Sequence, residues 1–114
     1  ELVIKTFNKF YKIYLELMKE DREPLMNLIS FYEEEYGWRV IIFLRAKHRP
    51  AVFFAEDETK MLVSPAAIDI GGVCIFPREE DFNRITKEQI ADIFKEVFVD
   101  RITLEKIISK CTEI

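Results

Sequence analysis

Apolar residues recur along the first part of the chain with the period of a helix. Val3, Phe7, Phe10, Tyr14 and Leu17 follow one another at alternating steps of four and three residues, which lines them up as one stripe. Lys5, Lys9, Lys12, Glu16 and Lys19 fall on the other faces. The spacing predicts a helix over 2–20 whose aromatic stripe packs into a core. Asp21-Arg22-Glu23-Pro24 closes it, because proline lacks an amide donor and disfavours helix at the residue before it.

The middle of the chain reads as short strands. Trp38 to Leu44 is β-branched and aromatic, as a strand requires. Residues 25–36 carry Leu25, Met26, Leu28, Ile29 and Phe31, which suit a short helix as well as a strand. The acidic stretch Glu33–Gly37 ends in the first glycine and favours a β-hairpin: Met26–Tyr32, a turn, then Trp38–Arg45. Ala51–Ala55 and Lys60–Val63 are two further predicted strands, divided by the charged turn Glu56–Thr59. Ile68–Phe76 is predicted as a central strand interrupted by Gly71-Gly72. Such a pair marks a bulge, or a close approach by a ligand or by another backbone, with close packing the favoured reading.

The last third is helical. Thr86-Lys87-Glu88-Gln89 has the form of a capping box, with Ile85 and Ile90 placed as its hydrophobic staple. Ile90, Ile93, Phe94 and Val97 make the buried stripe of that helix. A second start is predicted at Thr103, with Ile102 and Ile107 as a staple pair, and Leu104, Ile107, Ile108 and Cys111 carry that helix to the end. The whole order predicts an α+β domain: an antiparallel β-sheet of about five strands with the N-terminal helix and the two C-terminal helices covering one face.

Composition narrows the function. A chain of 114 residues, 49% hydrophobic and 33% charged, is expected to form one domain over 1–114 with a real core. Its formal charge of -4 argues against general nucleic-acid binding, which uses a basic face. No apolar stretch approaches the roughly 20 residues of a membrane span, and the start lacks a signal-peptide pattern. Cys74 and Cys111 are far apart, and Cys74, inside an apolar run, is expected to be a buried thiol. Two such cysteines suit a reducing cytoplasm, and neither has the spacing of a zinc ligand, so no metal or cofactor is expected. The first residue is Glu1, not Met, which suggests a piece of a larger protein.

The candidate chemistry is the basic run Arg45-Ala46-Lys47-His48-Arg49-Pro50, which holds the only histidine. Continued strand alternation would put Arg45, Lys47 and Arg49 on one side. Arginine binds phosphate bidentately and lysine as a point charge, so Arg45, Lys47, His48 and Arg49 are candidate phosphate or anion contacts. The competing reading is a solvated strand end. No catalytic residue is assigned, since His48 has no identifiable partner to work as a general base. Asp69 beside the glycine pair lacks the pattern of a phosphate-binding loop. The acidic clusters Glu33–Glu35, Glu56–Glu58 and Glu79–Asp81 lack calcium-loop spacing and read as charged turns.

Four segments carry a resemblance: Glu23-Pro-Leu-Met-Asn27, Phe43-Leu-Arg-Ala-Lys-His-Arg-Pro50, Ser64-Pro-Ala-Ala-Ile-Asp-Ile-Gly-Gly72 and Pro77-Arg-Glu-Glu-Asp-Phe82. Within Glu23–Val99 they resemble the C-terminal portion of an uncharacterised bacterial family. That family is similar to the GDP-hexose phosphorylases and ATP adenylyltransferases of the histidine-triad superfamily, which includes galactose-1-phosphate uridylyltransferase. The resemblance implies a nucleotidyltransferase- or phosphorylase-like parent that attacks a nucleotide phosphate with a histidine of a His-x-His or His-x-Gln motif. His48 is followed by Arg49-Pro50, so no catalytic residue carries over. The implied role is a non-catalytic C-terminal domain, not an enzyme alone. Its expected partners are the rest of the parent chain and a nucleotide or sugar-phosphate ligand. The alternative is a stand-alone protein-interaction module.

Overall fold

The computed structural model of the chain describes residues 1–19 and 21–113. Glu20, placed in the predicted first helix, and the terminal Ile114 lie outside the described residues. The elements run α1 (Leu2–Met18), β1 (Met26–Glu33), β2 (Gly37–Leu44), α2 (Ala51–Phe54), α3 (Ala67–Ile70), α4 (Glu79–Arg84), α5 (Lys87–Val97) and α6 (Arg101–Thr112).

The first helix forms where its period predicts, but it ends before Pro24 can act. Lys19 takes a left-handed conformation (φ 49°, ψ 35°), and its amide donates to the Leu15 carbonyl at 3.3 Å. That geometry usually selects glycine. Along the aromatic stripe Tyr14 is fully buried, and Phe10 and Leu17 pack beside it. The Phe10 and Tyr14 rings stack with centroids 5.7 Å apart. The N-terminal end of the stripe is different, for Val3 stays exposed.

Residues 26–44 form the favoured hairpin. Its antiparallel register runs from Met26 opposite Leu44 to Glu33 opposite Gly37. Gly37 closes the turn at φ 76°, a conformation that strains any residue with a Cβ.

The remaining predicted strands are corrected: the described residues hold a two-stranded antiparallel sheet, not one of about five strands. Ala51–Phe54 is a single helical turn that opens at Pro50, whose fixed φ suits a helix start. Lys60–Val63 keeps strand-like alternation, with Met61 and Val63 buried, but it meets no neighbouring strand. Its amides go elsewhere, Met61 to the Val52 carbonyl (3.0 Å) and Leu62 to the Asp81 carboxylate (3.0 Å). The predicted central strand becomes the turn of helix α3 followed by Gly71-Gly72. Gly72 has φ 109° with open space around it and serves a turn, whereas a Cβ at Gly71 would lie 3.3 Å from the Ile68 carbonyl oxygen, so close backbone approach explains only the first glycine and no strand bulge is present. Cys74 beyond it is exposed, not the buried thiol the apolar run suggested. These runs are too short for periodicity to separate helix, strand and extended loop.

The capping box forms as read. The Gln89 amide donates to the Thr86 hydroxyl (3.2 Å), and the Thr86 amide donates to the Gln89 side-chain oxygen (2.9 Å). The last helix starts earlier than predicted: its cap is Asp100, which accepts from the Thr103 amide at 2.7 Å, and Ile102 stays exposed. Aspartate at this position satisfies an amide with no partner inside the helix.

Among the described residues two apolar clusters organise the chain. Tyr14, Leu44 and Ile107 join α1, the hairpin and α6, with Met26 and Ile42 packed against them. Met61, Val63 and Ile93 join the middle loop to α5. The terminal helices α1 and α6 lie on the hairpin face that carries Leu44. Phe98, just after α5, meets Phe43 on the opposite face, with ring centroids 6.0 Å apart. The helices therefore do not all cover one face.

Candidate functional site

Strand pairing stops at Leu44, and this decides where the basic run goes. Arg45 makes one isolated bridge to Phe98, and its amide donates to the Leu25 carbonyl at 2.9 Å. The amides of Ala46 (2.8 Å) and Lys47 (3.2 Å) both donate to the Val97 carbonyl at the end of α5. The run is a loop tied to a helix terminus, so strand alternation no longer governs its side chains.

Arg45 turns inward and is 5% exposed. Its guanidinium makes four hydrogen bonds, to the Asn27 side chain (3.0 Å) and to the carbonyls of Pro65 (2.6 Å), His48 (2.7 Å) and Lys47 (3.3 Å). Beneath it the Tyr14 hydroxyl donates toward the carbonyls of Leu25 (2.9 Å) and Arg45 itself (3.1 Å). Burial pushes the Arg45 guanidinium below its ordinary pKa, and the charge of Asp69 opposes that fall. All four acceptors are neutral, so Arg45 fastens the loop while keeping its positive charge.

The other three candidates stay at the surface and diverge. Lys47 pairs with Glu96 on α5 at 3.1 Å. Glu96 also accepts from the Ala51 amide at 2.8 Å. Burial alone would raise the Glu96 carboxyl, but the Ala51 amide and Lys47 together hold it below its ordinary value. Arg49 lies over the Phe53 ring, 4.2 Å from its centroid, as a cation–π contact. His48 is exposed and lines an open groove of about 460 Å³. Arg45 and Asn27 also border this groove, together with Arg22, Glu23 and Ser64, whereas Lys47 and Arg49 do not.

Two residues at this groove escaped the sequence reading. Asn27 is a lone amide in an apolar strand, and that break in the pattern was the available signal. Arg22 sits in the helix-ending turn, and only the packing of the turn brings it to His48.

Two buried carboxylates, Asp69 beside the glycine pair and Asp81 of the cluster Glu79–Asp81, are used structurally. Asp69 is buried and accepts from the amides of Ala66 (2.8 Å) and Ile75 (3.4 Å), which closes its own loop. Asp81 is fully buried and accepts from Arg78 through two bonds of 2.8 Å, from Arg84 at 3.0 Å and from the Leu62 amide. The Arg78 side chain, with the Leu62 amide and Arg84, holds the Asp81 carboxyl far below the usual carboxylate range against the pull of burial. Among the described residues no group of three or more His, Cys, Asp or Glu side chains is placed to hold a metal ion. No helix among them is long and apolar enough to cross a membrane.

Comparison with known proteins agrees with the segments that carry the resemblance. No curated protein and no solved structure matches the chain. A family model described as GDPGP1-like, C-terminal domain, matches residues 4–114, nearly the whole chain and all of the elements from α1 to α6. The chain therefore belongs to this family of C-terminal domains of GDP-hexose phosphorylase-like proteins.

Proposed function

We propose that the chain is the non-catalytic C-terminal domain of a nucleotidyltransferase- or phosphorylase-like protein of the histidine-triad kind, acting on a nucleotide sugar or nucleotide phosphate in the cytoplasm. The family match over residues 4–114 is the observation that carries this reading. In that chemistry a histidine of a His-x-His or His-x-Gln motif attacks the phosphate. The only histidine of this chain stands in His48-Arg49-Pro50, so the attacking group belongs to another part of the parent. The domain's own share is a phosphate contact from the loop that carries Lys47, His48 and Arg49.

Arg45 takes a different part from the one its sequence position suggests. It draws the carbonyls of Lys47 and His48 inward and so directs the following side chains outward, as a positioning residue. Its guanidinium is hydrogen-bonded to neutral acceptors and faces the charge of Asp69, so the part of its field left over adds to the positive potential of the groove that His48 and Arg22 line. Glu23 on the same groove opposes that potential, which favours a ligand held at the His48 side.

Titration with GDP, ATP, a GDP-hexose and inorganic phosphate, followed by backbone amide shifts, tests the contact. Shifts centred on Lys47–Arg49 are expected. The paired charge reversal Lys47→Glu with Arg49→Glu abolishes them while the remaining spectrum stays folded. Binding that survives the reversal, or silence at the loop with every ligand, overturns the phosphate contact and leaves a structural role.

A second reading, a stand-alone interaction module, is favoured by the exposed apolar surface of the hairpin. An open reading frame that begins near Glu1 would support it against the first.

A further inference from the structure

The hairpin has more apolar surface than its own chain covers. Leu28, Val40 and Trp38 share one face of the two strands, as cross-strand neighbours do, and all three are exposed. The first turns of α1 stand beside that face, with Leu2 78% and Ile4 65% exposed. Between them lies an open groove of about 580 Å³. Among the described residues its polar groups are the hydroxyls of Thr6 and Ser30 and the Trp38 indole N–H, and no charged group lines it. Such a lining offers nothing to a phosphate and much to another apolar surface.

The dimensions of the molecule point the same way. The chain exposes 8683 Å², whereas a folded monomer of its mass is expected to expose roughly 6,600 Å². Its radius of gyration is 16.6 Å, against about 13 Å for a compact domain of this length. The surplus surface, on the order of 2,000 Å², is what one side of a large obligate interface buries. A two-stranded hairpin is also marginal by itself, and neither outer edge pairs with a further strand among the described residues.

We propose that this groove is the seat of the preceding domain of the parent protein, which inserts an apolar segment between α1 and the hairpin. This rests on the reading of the chain as a C-terminal domain. The family match covers the chain from residue 4 onward, and residues 2–4 help to form the wall of the groove at the N-terminal end of α1. Whatever precedes the domain in the parent is therefore tethered at the groove itself. A tethered partner meets the groove at an effective concentration that a free one must reach by expression alone. A second copy of the chain lacks that advantage.

The test is hydrogen exchange on the full parent chain, with peptides over 2–10 and 28–40 read against the α5 peptide 90–97. Both groove peptides are expected to exchange as slowly as the α5 peptide, independently of protein concentration. The double variant Leu28→Asp with Val40→Asp should speed their exchange by more than about tenfold, since it places charges in a dry interface. Val40→Ser, too mild to unfold the hairpin, should give a smaller rise confined to the same peptides. Phe82→Asp, at an exposed apolar position on α4, should leave them unchanged. Fast exchange in the unmodified parent overturns the proposal, and protection that vanishes on dilution overturns it in favour of a second copy. Nucleotide binding by the same samples separates the two readings. An unprotected groove with intact binding removes only this inference, and a protected groove without binding removes only the phosphate contact.

Discussion

Arg45 and Asp81 are both buried charges, and their surroundings are opposite. Asp81 sits between the guanidinium groups of Arg78 and Arg84 and has its charge answered on the spot. Arg45 is met by an amide oxygen and three backbone carbonyls, all neutral. The first arrangement closes a network and leaves nothing over. The second fixes a loop through neutral partners, and its charge is answered only through the field of Asp69, which is not among its hydrogen-bond partners. A buried charge with neutral partners organises backbone and still projects a field, whereas a neutralised one only holds elements together.

The largest test of this contrast is Arg45→Met. It removes the cation and leaves the carbonyls of Pro65 and His48 without their donor. A loss of about 3 kcal/mol or more is expected in urea unfolding, since several hydrogen bonds to a charged group go at once. Equal stability of the variant would mean that the loop is held by the Val97 carbonyl alone.

Asp81→Asn comes next, with an expected loss of about 2 kcal/mol, because one acceptor oxygen remains but the charge does not. This variant also carries a pH signature. The folded Asp81 carboxyl lies below its ordinary range, so the unfolded chain takes up the proton first. The stability it gives is full above the ordinary aspartate pKa of about 3.9 and falls as the pH drops from there toward the folded value. Stability measured between neutral and acid pH should therefore fall less steeply for Asp81→Asn than for the native chain. Parallel curves would assign the acid sensitivity to other carboxylates.

Thr86→Ala removes the cap of α5 at an expected cost of about 1 kcal/mol. This helix carries Ile93 to the cluster around Met61 and Val97 to the Arg45 loop, so the loss should be felt at both sites. Exchange confined to one of them would show that the two ends of α5 respond independently. The smallest effect belongs to Lys47→Ala. Its pair with Glu96 is half in solvent, and a change of about 0.5 kcal/mol or less, shrinking with added salt, is expected in thermal unfolding.

The legible parts of the chain share a physical feature. The stripe of α1 spans several turns, β2 is a long β-branched run, and the Thr86 box fixes a helix start through two local bonds. Each contains enough neighbouring residues to decide its own conformation. Residues 51–55, 60–63 and 68–76 do not. They became a helical turn, an unpaired extended segment and a turn around Gly72, according to where Ile93, Asp81 and Asp69 awaited them. The candidate site divides the same way. The basic run was visible as composition, but the inward turn of Arg45 required Asn27 and Pro65, remote in sequence. Arg22 reached the groove only through the turn after α1.

The sequence by itself determined the long helices, the strand Trp38–Leu44 with a turn before it, the Thr86 cap, and the absence of a His-x-His or His-x-Gln motif around His48. These follow from local periodicity, backbone sterics and residue identity. Tertiary structure decided which cation is buried, which carboxylate is neutralised and which apolar face is left open. Those outcomes depend on partners far along the chain, because burial and charge pairing are properties of an assembled neighbourhood, not of a residue.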